Sequence, residues 1–175
     1  MKNKSLSPVL YAQAAMKWIA ILLLAGAGLA RADSPQRVTP LPKYQQECAA
    51  CHLAYPPGML PAASWKRLMG SLDKHYGTDA SLDEASVREI SGWLQTHAGT
   101  YKRVSEEPPQ DRITRSQWFV RKHSEVDPQI WKQAAVKSAA NCAACHTAAN
   151  KGSFRESEIQ FPKGLDARFR RNWSD

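Results

Sequence analysis

Apolar positions from residue 64 onward fall on one face of a helix. Trp65, Leu68, Met69 and Leu72 recur at i, i+3, i+4 and i+7, and His75 continues that face three residues further. A second stripe of Leu82, Ile90, Trp93 and Leu94 predicts a helix from Ser81 to about His97. Glu84 follows Ser81 at capping-box spacing, and Gly99 stands beyond the far end. Upstream, a helix is expected from Tyr44 to Leu53, followed by the turn-forming run Tyr55-Pro56-Pro57-Gly58.

The second half of the chain has a weaker pattern. Ile113 to His123 is a short aromatic segment containing Trp118 and Phe119. Asp127-Pro128 then reads as a helix start, with Ile130, Trp131, Ala134 and Ala135 as its buried face. A further helix is expected from about Ser138, ending near Asn150-Lys151-Gly152, and Ser153 to Asp175 reads as a loosely held tail. No segment alternates apolar and polar residues as a half-buried strand does. The expected fold class is therefore mainly α, with little or no β structure.

The first residues have a different character. Lys2, Lys4 and Lys17 precede the apolar run Trp18 to Leu29, and Ala30-Arg31-Ala32 provides small residues where a signal peptidase would cut. The run is 12 residues long, whereas a spanning helix needs about 20. A cleaved secretory signal over 1–32 is expected in preference to an anchor. The long stretch before the run makes Met16 an alternative start to Met1.

Charge changes with that cleavage. The 175-residue chain carries a formal net charge of +8. Loss of Lys2, Lys4, Lys17 and Arg31 would leave 143 residues at +4. A basic excess of that size does not argue for nucleic-acid binding, although a local basic patch could still steer a partner.

All the cysteines lie in Cys48-Ala49-Ala50-Cys51-His52 and Cys142-Ala143-Ala144-Cys145-His146. Both pentapeptides have the c-type haem attachment pattern. Two intervening residues let both sulfurs reach the two vinyl groups along one porphyrin edge, and the adjoining histidine turns its imidazole toward the iron. One such pentapeptide would arise by chance roughly 0.003 times in a chain of this composition, and here there are two. The alternatives are a disulfide scaffold, a zinc site built from two Cys-x-x-Cys knuckles, and thiol redox catalysis. None of them calls for a histidine directly after both pairs, and export disfavours reduced zinc thiolates.

Two covalently bound haem c groups also explain how so short a chain could be stable. Two lobes sharing 143 residues would each be small for a self-sufficient core, and the porphyrins would complete them. The expected architecture is two haem-centred, cytochrome-c-like lobes. An N-terminal haem domain over 33–103 and a C-terminal one over 112–160 are joined by a linker at 104–111, where apolar patterning breaks. A basic tail follows at 161–175, whose Lys163, Arg168, Arg170 and Arg171 could attract an acidic partner.

Function then turns on the sixth coordination position of each iron. A protein ligand there favours electron transfer, and an open position favours gas binding or peroxidase chemistry. His75 extends an apolar face, and His123 follows Trp118 and Phe119; both are candidate axial ligands beside the motif residues His52 and His146. His97 lies at a helix C-terminus, where a histidine is favoured for other reasons. Met59 and Met69 read as packing residues. Bis-histidine ligation at both irons is expected, and with it an electron carrier rather than an enzyme. Trp65, Trp93, Trp118 and Trp131 are candidates for excluding water from the porphyrins. A haem enzyme or gas-binding protein with one open iron, and a structural haem subunit of a membrane complex, are the alternatives.

Several phrases around the motifs are specific beyond the motifs themselves. They are Ala54-Tyr55-Pro56-Pro57-Gly58-Met59-Leu60-Pro61 with Ser64-Trp65, the run His75-Tyr76-Gly77-Thr78-Asp79-Ala80-Ser81-Leu82, and Ile113 through His123. Together they resemble the dihaem cytochrome c family, DHC, over roughly Tyr44 to Ile159. The resemblance implies a small bacterial two-domain cytochrome with bis-histidine haems. It implies His75 as distal ligand of the haem at Cys48 and Cys51, and His123 as that of the haem at Cys142 and Cys145. The export signal makes the periplasm the expected location, and the resemblance further implies redox partners: a membrane b-type cytochrome, and a small oxygen-binding monohaem cytochrome c called sphaeroides haem protein.

Overall fold

The computed structural model describes residues 38–100, 104 and 106–172, with side chains to Arg170. The expected signal segment and the cleavage site after Ala32 lie outside the described residues. Within them the fold is mainly helical and has no strand. Helices α1 (Pro42–Cys48), α2 (Ala62–Met69), α3 (Glu84–Thr96) and α4 (Gln117–Lys122) are separated by loops and short 3-10 turns. Two isolated bridges, His75 with Thr78 and His146 with Ile159, are the β-type pairings among these residues. No described helix is long and apolar enough to cross a membrane.

Helix α1 begins with Pro42 in its first turn, where a missing N–H costs nothing, and it buries Tyr44. It ends at Cys48, short of the expected Leu53. Ala49, Ala50, Cys51 and His52 are all exposed, so continuing the helix through them would bury nothing, and helices this short depend on burial.

Helix α2 buries Ser64, Trp65 and Met69 and stops at Gly70, whose N–H donates to the Lys66 carbonyl at 3.1 Å. Leu72 and His75 are therefore not on this helix. Leu72–Lys74 forms a 3-10 turn that ends at His75, and the chain then reverses. Tyr76 at φ 51° and Gly77 at φ 96° occupy the reversal, and the Thr78 N–H closes it on the His75 carbonyl at 3.0 Å. Two successive positive φ values identify a type I′ turn, which favours glycine at one centre and strains a tyrosine at the other. Tyr76 is held there by its hydroxyl, 3.0 Å from the Asp111 carbonyl, and by the Arg112 guanidinium 4.0 Å above its ring.

Helix α3 starts later than the Ser81/Glu84 pattern predicts. Asp79 captures the Ser81 N–H at 2.9 Å in a local turn, so Ser81 is spent upstream. Asp83 is the cap instead, accepting the Ser86 N–H at 3.0 Å and the Ser86 hydroxyl at 2.6 Å. Ile90 and Leu94 of α3 are fully buried and pack with Trp65 and Met69 of α2, Tyr44 of α1, Ala54 and Leu60 in one apolar cluster. Gly99, just past α3, is needed for close approach: a Cβ there would stand 2.6 Å from the Gly58 carbonyl oxygen.

Beyond α4 the helices expected from Asp127 and from Ser138 do not form; Ile130–Lys132, Cys142–Ala144 and Ala149–Lys151 are single 3-10 turns. Local hydrogen bonds compete with helix here. Asp127 accepts the Gln129 N–H at 2.8 Å, Ser138 accepts the Ala140 N–H at 3.1 Å, and Lys137 between them sits at φ 71°. Ala134, expected on a buried face, is exposed.

The C-terminal stretch is not loosely held. Leu165 and Phe169 are buried with Ile130 and Val136 in a second apolar cluster, against which Trp131, Ala144 and Phe161 also pack. Phe161, Leu165 and Phe169 recur every four residues, a signal the charged neighbours obscured. Residues 36–175 group as one compact unit that contains both clusters. The segment expected as a linker is tied into it: Arg67 donates to Asp111 at 2.6 and 2.9 Å and to Glu107 at 2.7 Å, while Glu106 accepts the Gln117 N–H at 3.0 Å.

Candidate functional site

The turn that follows α1 leaves His52 at the protein surface. Its Nδ1 lies 2.7 Å from the Leu53 carbonyl. A carbonyl only accepts, so Nδ1 carries the proton and Nε2 is left with a free lone pair, the form that binds a metal. The Tyr55 ring stacks on His52 at 5.1 Å and 28°, and the type I′ turn delivers His75, with ring centres 6.0 Å apart and planes 21° apart. Tyr76 meets His75 edge-on at 5.0 Å. The Nδ1 of His75 is buried without a partner. Burial lowers the His75 pKa from the ordinary 6.5, with the neighbouring His52 and Arg112 adding to it, and so favours the neutral ring.

The second motif is built on different local structure. Cys142–Ala144 makes a 3-10 turn, the His146 N–H closes on the Cys142 carbonyl at 2.8 Å, and the Gln160 N–H donates to the Cys145 carbonyl at 2.9 Å. His123 terminates α4. Its Nδ1 donates to the Phe119 carbonyl at 2.9 Å, and the Phe119 ring stacks on it at 4.0 Å and 20°. Trp131 approaches His123 edge-on at 6.0 Å, and Phe154 lies 5.5 Å from His146. The His123 and His146 ring centres are 6.2 Å apart, with planes at 77°. His146 Nδ1 is buried and unpartnered, and burial lowers the pKa of both rings.

These pairs have the dimensions of axial ligands. With metal–nitrogen bonds of about 2.0 Å and ring centres about 1.1 Å beyond, two imidazoles on one iron stand about 6 Å apart. Two histidines are also the number that a porphyrin leaves to the protein. Among the described residues no group of three or more His, Cys, Asp or Glu side chains gathers as a metal held by protein alone requires. Among the described residues no disulfide joins the four cysteines, and burial pushes the Cys48 and Cys145 thiols up to about 11 and raises Cys142. A redox-catalytic Cys-x-x-Cys has its thiol lowered instead. The donor set fits covalently held haem, with Cys48, Cys51, Cys142 and Cys145 able to carry the thioethers.

The remaining candidates are placed differently. His97 caps α3 with its Nδ1 donating to the Trp93 carbonyl at 2.8 Å, and its ring contact is with Trp93 at 5.3 Å. Met59 and Met69 are buried in the core. Of the tryptophans, Trp65 is buried, its indole N–H donating to the Pro57 carbonyl at 2.7 Å, while Trp93, Trp118 and Trp131 are half-buried. Sequence reasoning missed Tyr55, Tyr76 and Phe154, which lie in loops and turns with no periodic signal. It also missed the link between the two motif loops, the Tyr55 hydroxyl donating to the Ala140 carbonyl at 2.7 Å.

Comparison with known proteins bears on the same residues. The family model for dihaem cytochrome c matches residues 44–154. The crystal structure of DHC purified from Rhodobacter sphaeroides is 47% identical, the match covering 67% of this chain and 99% of that one, with a TM-score of 0.58. A diheme cytochrome type c from Shewanella baltica OS155 is 32% identical over 70% of this chain and 95% of that one, with a TM-score of 0.61. A second diheme cytochrome c structure from Rhodobacter sphaeroides is 44% identical over 67% and 98%, with a TM-score of 0.60. The search of curated proteins finds no match. With both haem motifs inside the matched span, the chain belongs to the dihaem cytochrome c family, the electron-transfer haem proteins that carry two haems.

Proposed function

We propose that this protein is a periplasmic electron carrier whose two haems are both closed by histidine. Cys48 and Cys51 attach the first haem, with His52 and His75 as axial ligands. Cys142 and Cys145 attach the second, with His146 and His123. The observation that carries this reading is the spacing of the two histidine pairs, 6.0 and 6.2 Å between ring centres, each pair containing one motif histidine.

When bound, the haems supply the one-electron chemistry. The chain's part is to hold the ligands and keep water out. Backbone carbonyls of Leu53 and Phe119 fix one imidazole of each pair in the metal-binding tautomer, which favours a ligand set unchanged between oxidation states. Tyr55, Phe119, Trp131 and Phe154 pack around the histidines. With both axial positions filled by protein, no coordination site remains for a substrate. His97 takes no part in ligation.

A 1–32 signal directs export, and redox proteins are the partners: a membrane b-type cytochrome as electron source and a small oxygen-binding monohaem cytochrome c as acceptor. The exposed Lys163, Arg168 and Arg170 on the docked C-terminal segment would orient an acidic partner surface. The deciding experiment is the optical spectrum of the purified exported protein, oxidised, reduced, and reduced under carbon monoxide, with haem counted per chain. Two low-spin haems that ignore carbon monoxide support the carrier. A fraction that binds it exposes an open iron and gives the enzyme or gas-binding alternative first place. The intact mass reports cleavage after Ala32.

A further inference from the structure

The two histidine pairs share a spacing but not an orientation. The rings of His52 and His75 lie 21° from parallel, whereas those of His123 and His146 lie at 77°. Neither angle is dictated by the attachment motif, because the alanine pair between the cysteines is the same at both. The neighbours are what differ.

At the first pair the Tyr55 ring is 28° from the plane of His52, which is itself 21° from that of His75. The Tyr55 hydroxyl donates to the Ala140 carbonyl at 2.7 Å, while the face of its ring is what meets His52. At the second pair the Phe119 ring covers His123 at 4.0 Å and 20° while the Phe119 carbonyl holds His123 Nδ1 at 2.9 Å. One residue thus grips the imidazole by its face and by its edge. Trp131 closes in at 6.0 Å and 64°. His146 is held independently, by its own N–H on the Cys142 carbonyl and by the bridge to Ile159.

We propose that Tyr55 and Phe119 are positioning residues, acting through His52 and His123, that give one iron a near-parallel ligand pair and the other a crossed pair, so that the two haems are electronically unlike. The proposal rests on the bis-histidine reading above. The physical reason lies in ligand π overlap. An imidazole interacts with the iron d orbital directed perpendicular to the ring plane. Parallel rings both act on one member of the degenerate pair and split it. Crossed rings act one on each and leave the pair close in energy. Orbital angular momentum is quenched in the first case and retained in the second, and the g values of the ferric ion record the difference.

The test is low-temperature electron paramagnetic resonance of the oxidised holoprotein. Two low-spin ferric signals of equal spin count are expected, one rhombic with three resolved features and one strongly anisotropic with a single large g value. Phe119→Leu, which keeps the carbonyl and removes the stack, should move the anisotropic signal toward the rhombic form. Tyr55→Leu should shift the rhombic signal alone, and Tyr55→Phe, which keeps the ring, should restore it. The wild-type spectrum decides the orientations even where a variant folds poorly. Two signals of one shape overturn this proposal and leave bis-histidine ligation standing. A high-spin signal in the wild type overturns the ligation itself. A substitution that shifts the wrong signal, or neither, removes that residue from the role.

Discussion

The hydroxyl of Tyr55 donates to the carbonyl of Ala140 at 2.7 Å, joining a residue just beyond the first haem motif to one just before the second. The bond spans 85 residues of sequence, and the ring that makes it is the one stacked on His52. A single side chain therefore touches an axial-ligand candidate of one site and the cysteine loop of the other.

Removing that hydroxyl should loosen the joint without disturbing either haem. Tyr55→Phe is expected to cost about 0.5–1.5 kcal/mol, at the lower end because water can replace the exposed donor. Denaturant unfolding of the holoprotein checks this, and the optical spectrum should stay unchanged.

Truncating a distal histidine should open one iron. His75→Ala and His123→Ala are each expected to convert one haem of two into a form that binds carbon monoxide, and the double variant both. His97→Ala should leave the spectrum as it was. A carbon monoxide difference spectrum with one haem equivalent per single variant checks the assignment.

The docked C-terminus should contribute to stability. Phe169→Ala removes a buried aromatic from the cluster with Ile130 and Val136 and is expected to cost about 3–5 kcal/mol. Leu94→Ala, in the other cluster, should cost about 2–5 kcal/mol. A melting temperature for Phe169→Ala equal to wild type would return residues 161–175 to the status of a free tail.

Acid should loosen the attachment of the 106–111 segment to α2. The Arg67 guanidinium holds the Asp111 carboxyl below its ordinary 3.8. A folded-state pKa lower than the unfolded one means that the contribution is complete above the ordinary carboxylate range and fades as pH falls through the folded value. Wild type should therefore lose stability below about pH 4 more steeply than Asp111→Asn. Denaturant midpoints at neutral and acid pH measure the difference.

Local chemistry was legible from the residues alone. The two Cys-x-x-Cys-His pentapeptides identify themselves, because thioether attachment and the adjoining histidine are contiguous along the chain. The stripes of α2 and α3 announce buried helices, because Trp65 and Met69, and Ile90 and Leu94, recur at helical spacing. His75 was named on the helical period, yet it lies past the end of α2 and reaches His52 through the turn at Tyr76 and Gly77.

The ring angle within each histidine pair, the Tyr55 bridge and the docking of Phe169 were decided by tertiary structure. Each of these depends on residues distant in sequence, or on turns whose positive φ values have no period. The absence of helices at Asp127 and Ser138 is local instead, since each side chain accepts an N–H two residues on, in competition with helix. Periodicity reports which face of a helix meets apolar surroundings, but it holds no information about which loop the other side of that contact comes from. Residues 52 and 75 meet through the turn at Tyr76 and Gly77, and residues 123 and 146 meet where the end of α4 faces the second motif, contacts between loops that no periodic pattern records.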